Sequence, residues 1–212
     1  HVVNILATIN VGRGGMWLID PFDVTISNTA SGDSYSANFD PTQTTVLNAN
    51  SIETSLNSGT DVSITTGSAT ANTLTVDFPI QPKSYSGATL TLTCGTIDIN
   101  RDITGDGVDL NLVLNGATID IDNSISLSGG NLTINASSSG DISSSYSITA
   151  QNIIKNGSGD FTVNSSSTIS GDVTINAGAI VMATATPFGD QDINVNSGGT
   201  LNFNNINYGG KG

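Results

Sequence analysis

The feature that most constrains this chain is a repeat of about 20 residues that runs from residue 90 to the end. Large apolar residues recur in three series, and successive members lie 18 to 23 residues apart. The first series is Leu92, Leu114, Ile134, Ile154, Ile175 and Val195; the second is Ile97, Ile119, Ile142, Phe161, Ile180 and Leu201; the third is Ile103, Ile125, Ile148, Ile169, Phe188 and Ile206. Three apolar stretches per period describe one coil of a three-sided solenoid, and a single coil cannot bury its apolar edge without a neighbour. The sequence therefore predicts an all-β fold, a right-handed parallel β-helix with about 20–22 residues per coil.

A β-sandwich is the alternative, because its strands have similar lengths and a similar alternation of apolar and polar residues. A sandwich, however, does not repeat in threes with a fixed coil length. In addition, no proline lies between Gly87 and Thr186, so every strand there keeps its backbone donors. The repeat in threes therefore favours the β-helix.

The whole chain, residues 1–212, is predicted to form a single solenoid segment. Residues 1–15 are assigned to the end of a preceding coil, residues 16–89 to irregular coils with loop excursions at 27–45 and 78–86, and residues 90–212 to regular coils. Similar glycine-rich runs at 9–15 and 206–212 suggest one module of a tandem array. At about 4.8 Å per coil, about ten coils would form a rod roughly 50 Å long.

The charge of the chain is strongly one-sided, with 18 acidic residues against five Lys and Arg and a formal net charge of −13. Nucleic acids and anionic lipid surfaces bind proteins through Lys and Arg patches, so neither is an expected partner. No apolar run approaches the about 20 residues of a membrane span, so membrane insertion is not expected. The single cysteine, Cys94, leaves no disulfide framework. A Ser-, Thr- and Asn-rich chain with so little cysteine is typical of long bacterial exoproteins, so we expect a secreted or cell-surface location.

One column of asparagines follows the first apolar series. Its members are Asn115, Asn135, Asn156, Asn176 and Asn196. Each follows the apolar end of a strand, where the chain must turn, and asparagine tolerates the backbone geometry of such a corner. Stacked about 4.8 Å apart, the side chains can also bond one another along the rod. We expect a structural ladder rather than a ligand site, with the neighbouring Lys155 pointing outward.

Five aspartates are the best candidates for chemistry. They are Asp98, Asp102, Asp106, Asp109 and Asp120. The first four surround Arg101 in a glycine-rich stretch, and Asp120 should stack on Asp98 one coil later. Solvated turn acids are the first interpretation, a bound calcium or other cation the second, and a carboxylate-based enzyme the third. Because His1 is the only histidine, no catalytic triad or histidine metal site can be drawn, and the chain is not expected to be an enzyme. Apart from calcium at these acids, we expect no cofactor.

Aromatic side chains on the two loop excursions form a second candidate site. They are Tyr35, Phe39, Phe78 and Tyr85. Loops that leave a rigid scaffold often carry recognition, so these side chains are candidates for binding a host or bacterial surface glycan or receptor. Four Asn-x-Ser/Thr triplets also match the glycosylation acceptor pattern, at Asn131, Asn135, Asn156 and Asn164.

Two segments resemble known exoproteins. Gly14-Gly15-Met16-Trp17-Leu18-Ile19-Asp20-Pro21-Phe22-Asp23-Val24-Thr25-Ile26 resembles a segment of filamentous-haemagglutinin-type exoproteins, and residues 55–66 and 88–103 are similar to the coils that follow it there. Cys94 departs from the Ala or Ser expected in that family. Residues 173–204 resemble the strand repeat of autotransporter passengers. The resemblance implies a right-handed β-helix in a large secreted or surface-tethered bacterial exoprotein. Adhesion, biofilm formation or contact-dependent inhibition would be its role, with no catalytic residues in these coils.

The sequence thus favours a structural stalk or filament segment of an adhesin-like exoprotein, able to stack end to end on neighbouring copies or modules. A glycan- or receptor-binding module that uses loops 27–45 and 78–86 is the alternative. A polysaccharide-active β-helix enzyme is the third hypothesis.

Overall fold

The computed structural model describes residues 15–19, 23–28, 44–66 and 72–204, which form a β-solenoid of about seven turns. The predicted fold class is confirmed, because parallel strands stack along the chain in register. The expected number of about ten coils is wrong. Coils in the first part of the chain are longer than the regular repeat, since Met16 pairs with Asp61 and Val62 pairs with Leu90.

The described residues contain eighteen strands and one helix. The strands are β1 (Met16–Ile19), β2 (Asp23–Ser27), β3 (Thr44–Asn48), β4 (Asp61–Thr65), β5 (Thr73–Val76), β6 (Ala88–Ile99), β7 (Ile103–Thr104), β8 (Leu110–Ile121), β9 (Ile125–Ser126), β10 (Leu132–Ile142), β11 (Ile148–Ala150), β12 (Ile153–Asn156), β13 (Asp160–Val163), β14 (Thr168–Ile169), β15 (Val173–Ile175), β16 (Gly178–Met182), β17 (Ile193–Val195) and β18 (Gly199–Asn202). The helix is α1 (Ala49–Asn57). Strands β1 to β5 lie within residues 16–89, the part predicted to form irregular coils.

The strands line three faces of the rod. The first face consists of β1, β4, the first halves of β6, β8 and β10, and then β12, β15 and β17. The second face consists of β3, β2, β5, the second halves of β6, β8 and β10, and then β13, β16 and β18. The third face is a separate four-stranded sheet of β7, β9, β11 and β14. All of these pairings are parallel, so equivalent side chains of successive coils lie directly above one another.

Apolar side chains of all three faces meet in one continuous core. Leu92, Leu114 and Ile134 stack in register and are almost completely buried. Burial of each such side chain stabilises the fold by about 1.5–3 kcal/mol. The core therefore extends along the rod instead of forming a closed globule.

Each of the three predicted apolar series is wrong at one position. In the first series, Lys155 rather than Ile154 lies between Ile134 and Ile175. In the second series, Gly140 rather than Ile142 lies between Ile119 and Phe161. A Cβ atom on Gly140 would lie 2.9 Å from Cδ2 of Phe161, so the glycine leaves space for the ring. In the third series, Ile169 pairs with Ala150 instead of Ile148. Ile206 lies outside the described residues.

The corner between the first and second faces changes form along the rod. Strands β6, β8 and β10 pass around it without interruption, whereas β12 and β13 are separate strands. Gly157 and Gly178 occupy the interrupted corner with φ angles of +75° and +65°. A Cβ atom on Gly157 would lie 2.2 Å from the carbonyl oxygen of Ala136, so only glycine fits there.

Helix α1 was not predicted from the sequence. Asn48 caps its N-terminus by accepting a hydrogen bond from the backbone N–H of Asn50 at 2.9 Å. Ala49, Ile52 and Leu56 are buried at helical spacing against the core. The helix connects β3 to β4 and occupies the third face below residue 80. The part of the chain that the structure describes contains no helix with the length and apolar character needed to cross a membrane.

Candidate functional site

The asparagine column predicted from the sequence forms a hydrogen-bonded ladder, here called the first ladder. Its members are Asn115, Asn135, Asn156, Asn176 and Asn196. Each Nδ2 donates to Oδ1 of the preceding member, at 2.8 Å for the third and fourth members and 2.7 Å for the fifth. At the other end, Nδ2 of Asn115 donates to Oγ1 of Thr93 at 2.9 Å. The ladder is therefore directional, and both polar atoms of each inner member bond to neighbouring coils.

A second ladder lies at the other end of the same strands, and the sequence analysis missed it. Asn131 Nδ2 donates to Asn111 Oδ1 at 3.3 Å, and Asn152 Nδ2 donates to Asn131 Oδ1 at 2.8 Å. Asn152 Oδ1 then accepts the backbone N–H of Asp172 at 2.8 Å. The regular spacing of these positions, which Asp172 and Asp192 continue, could have predicted this ladder from the sequence. The sequence analysis overlooked the column because its residue type changes from Asn to Asp.

Several aspartates serve the same architectural purpose. Asp61 Oδ1 accepts the backbone N–H of Thr89 at 2.7 Å, and Asp23 Oδ1 accepts that of Thr73 at 2.9 Å. In each case the carboxylate satisfies a backbone donor of a different coil. A short acidic side chain at a strand start is thus explained by hydrogen bonding between coils.

The five aspartates predicted as a cation site do not converge. Asp102 Oδ1 accepts the backbone N–H of Ser124 at 3.2 Å, and Asp109 Oδ1 accepts that of Gly129 at 2.9 Å. Asp106 instead forms an exposed ion pair with Lys83 at 3.2 Å. The arginine expected at the centre of the group, Arg101, lies 3.9 Å from Asp77.

Asp98 and Asp120 do stack in register, as the repeat predicted, and Asp141 extends this acid column by one coil. Burial raises the pKa of all three carboxyls. The preceding member of the column raises the pKa of Asp120 and of Asp141 further, and the charge of Asp122 adds to the shift of all three. Nδ2 of Asn164 donates to Oδ2 of Asp141 at 3.1 Å and partly opposes that shift. Among the described residues, no group of three or more His, Cys, Asp or Glu side chains is arranged to hold a metal ion. Calcium at the five aspartates named in the sequence analysis stays a prediction.

The predicted aromatic surface is only partly described. Tyr35 and Phe39 lie outside the described residues. Phe78 and Tyr85 are half-buried and pack against the core. The ring of Tyr85 covers Gly59, where a Cβ atom would lie 3.0 Å from Cε2 and Cζ. At least part of each of these two rings therefore contributes to packing.

Lys155 corrects the sequence analysis, which placed Ile154 in the core and Lys155 outside. In the structure, Lys155 pairs with Ile134 below and Ile175 above, and its side chain is completely buried. Ile154 occupies the alternate position and is half-buried on the outside. The step from Ile134 to the next interior position is one residue longer than the sequence analysis assumed, so the two side chains exchange faces.

The Lys155 ammonium group donates three hydrogen bonds inside the rod. Nζ donates to the carbonyl oxygens of Asn156 at 2.6 Å, Gly157 at 2.9 Å and Ala177 at 3.3 Å. These carbonyls belong to the glycine corners of two successive coils. Burial lowers the pKa of Lys155, and the negative charge of Asp160 opposes that shift.

Cys94 is buried at the corner where β6 turns from the first face to the second. Its sulfur accepts a hydrogen bond from Oγ1 of Thr66 at 3.1 Å and donates to the backbone oxygen of Asn72 at 3.0 Å. Burial raises the pKa of the thiol. Thiol reactivity requires thiolate and access, so this environment favours a structural role.

Comparison with protein-family models, curated proteins and solved structures finds no significant match for this chain. The β-helical repeat is evident from the fold itself. Membership of the filamentous-haemagglutinin type stays an expectation from the sequence.

Proposed function

We propose that this chain is a structural stalk or filament segment of a secreted or cell-surface bacterial exoprotein of the adhesin type. One observation carries the proposal. The conspicuous polar side chains of the coils, the two asparagine ladders and the aspartates at strand starts, bond to neighbouring coils instead of converging on a site. The proposed location rests on the sequence resemblance and on the composition of the chain.

A stalk separates other parts of a protein by a length set by its number of coils. Deletion of residues 153–172 removes one coil and joins Asn152 directly to Val173, which is in register with Ile153. We expect the shortened chain to stay folded and small-angle X-ray scattering to show a rod shorter by about 4.8 Å. Collapse of the fold on this deletion would contradict a modular stalk.

The binding-module alternative has a direct test on glycan arrays and on host or bacterial cells. The stalk proposal expects no saturable binding by the purified chain. The variants Phe78→Leu and Tyr85→Leu keep apolar volume but remove the rings, so they serve as matched controls for an aromatic ligand surface. Saturable binding that these substitutions abolish would refute the stalk proposal in favour of a binding module.

We propose no catalytic role for these coils. The purified chain should not cleave acidic polysaccharides. Turnover that is lost in Asp102→Ala, a variant whose folding is checked by circular dichroism, would contradict this proposal.

A further inference from the structure

The two ends of the described solenoid are built differently. At the N-terminal end, α1 covers the lower edge of the third face. Glu53 Oε1 accepts the backbone N–H of Gln81 at 2.7 Å, and Asn57 Oδ1 accepts those of Lys83 and Ser84 at 2.6 Å and 2.9 Å. The helix thus satisfies the backbone donors that would otherwise template another strand on this face.

The last described layer at the C-terminal end presents interior positions to solvent. Val195 stacks on Ile175, and Leu201 stacks on Ile180, at positions that are buried in the preceding coil. Val195 is nevertheless 47% exposed, and Leu201 is only half-buried. Val195 and Leu201 thus occupy interior positions of the repeat, but no described coil covers them.

The backbone and the first ladder also present hydrogen-bonding groups at this edge. The N–H of Val173 donates to the carbonyl oxygen of Asp192, in the next coil toward the C-terminus. Ile193 and Val195 are in register with Val173 and Ile175, so their N–H groups point the same way and face the outer edge of β17. Asn196 donates to Asn176, while its own Oδ1 accepts no hydrogen bond from a described residue. By the direction of the ladder, that oxygen is placed to accept an amide N–H from a coil above.

We propose that the C-terminal end is a docking edge for one further parallel coil of the same repeat, carried on the same polypeptide chain. The coil would supply aliphatic side chains over Val195 and Leu201 and an asparagine over Asn196. This inference rests on the proposed stalk function and specifies how the stalk continues. A free second copy fits less well, because its first described layer presents α1 on one face and because two chains of charge −13 repel each other.

The test extends the full 212-residue chain by a copy of residues 173–192 placed after Gly212. This extension puts an asparagine 20 residues after Asn196, the spacing of Asn196 from Asn176. The readout is hydrogen exchange of the Ile193 and Val195 amides by nuclear magnetic resonance. We expect exchange at least about tenfold slower than in the unextended chain. A control extension with aspartate at the two copied interior positions, Val173 and Ile175, should leave exchange unchanged.

Two results would overturn the inference. Unchanged exchange with the intact extension would show that this edge does not receive a coil. Concentration-dependent fibres of the unextended chain that Val195→Asp abolishes would show that the occupant is a second copy. Neither result depends on glycan binding, so failure here is distinguishable from failure of the stalk proposal.

Discussion

The buried lysine offers the sharpest test of how this rod is held together. The neighbouring positions of its column are aliphatic, so an apolar residue at position 155 would restore the stack. The structure instead gives Lys155 three carbonyl acceptors at the corner. We therefore expect Lys155→Met, which is similar in shape but cannot donate, to destabilise the protein.

The size of the effect follows from two opposing contributions. A hydrogen bond to a charged group contributes about 1.5–3 kcal/mol, so three contribute about 4.5–9 kcal/mol. Burial of an ammonium group costs several kcal/mol, which the substitution recovers. Water can reach part of the freed carbonyls, because Asn156, Gly157 and Ala177 are only half-buried. We expect a net loss of about 2 kcal/mol in the free energy of unfolding at neutral pH.

The dependence on pH gives an independent check. Burial lowers the pKa of Lys155 in the folded chain below its ordinary value. Between the folded-state pKa and the ordinary value of about 10.4, the unfolded chain binds more protons, so the stability of the native protein rises with pH. Methionine does not titrate. The stability difference between the native protein and Lys155→Met should therefore widen from neutral to alkaline pH.

Urea titrations of the native protein, Lys155→Met and Ile154→Met measure these differences. Ile154 is the outward neighbour, and its substitution should change the unfolding free energy by no more than about 0.5 kcal/mol. A Lys155→Met variant as stable as the native protein at neutral pH would refute the reasoning. It would mean that this column needs only apolar volume.

Three further substitutions test other parts of the rod. Asn135→Ala breaks a ladder bond on each side and should lower the free energy of unfolding in urea by about 2 kcal/mol, and Asn196→Ala by about half as much; equal losses would contradict the ladder. Because burial raises the pKa of Asp120, native stability should fall as the pH rises through that raised pKa. Over the same pH range, the thermal midpoint of Asp120→Asn should fall less than that of the native protein. Identical pH profiles would exclude the Asp120 carboxyl as a source of the fall. Gly140→Ala brings a Cβ atom to 2.7 Å from the carbonyl oxygen of Ile119 and 2.9 Å from the ring of Phe161, and it should cost about 1–3 kcal/mol; an unchanged thermal midpoint would contradict this close packing.

The fold and the first ladder could be predicted because both depend on the coil length alone. Asn135 and Asn156 bond to each other for the same reason that their spacing repeats, since equivalent residues of a parallel solenoid lie one strand spacing apart. Position along the repeat therefore gives position along the rod. No tertiary information beyond the period was needed.

Lys155 could not be placed from the period, because coil lengths differ by a residue and apolarity was the criterion for the interior. Ile154 and Lys155 are adjacent, and a change of one residue exchanges the inside and the outside of a strand. Only the carbonyl acceptors at the glycine corner make the lysine acceptable inside. Those acceptors come from two coils and leave no pattern in the local sequence.

For the aspartates near residue 100, the error in the sequence analysis was to group residues that the fold separates. Their closeness in sequence suggested one site, yet the chain turns between them, so Asp98 faces the acid column while Asp109 bonds to Gly129. Helix α1 was missed for a related reason. Its buried apolar residues, Ala49, Ile52 and Leu56, are few and lie among serines and asparagines that are typical of loops.

The acidity of the chain then has two separate origins. Asp61 and Asp109 accept backbone N–H groups of other coils, so they belong to the architecture of the corners. Asp120 lies on the outer surface between two like charges, where a neutral residue would stack at lower cost. The first group would be needed in any rod with these corners, and it carries no information about a partner. Evidence for a cation or a basic partner should therefore be sought in the acid column alone.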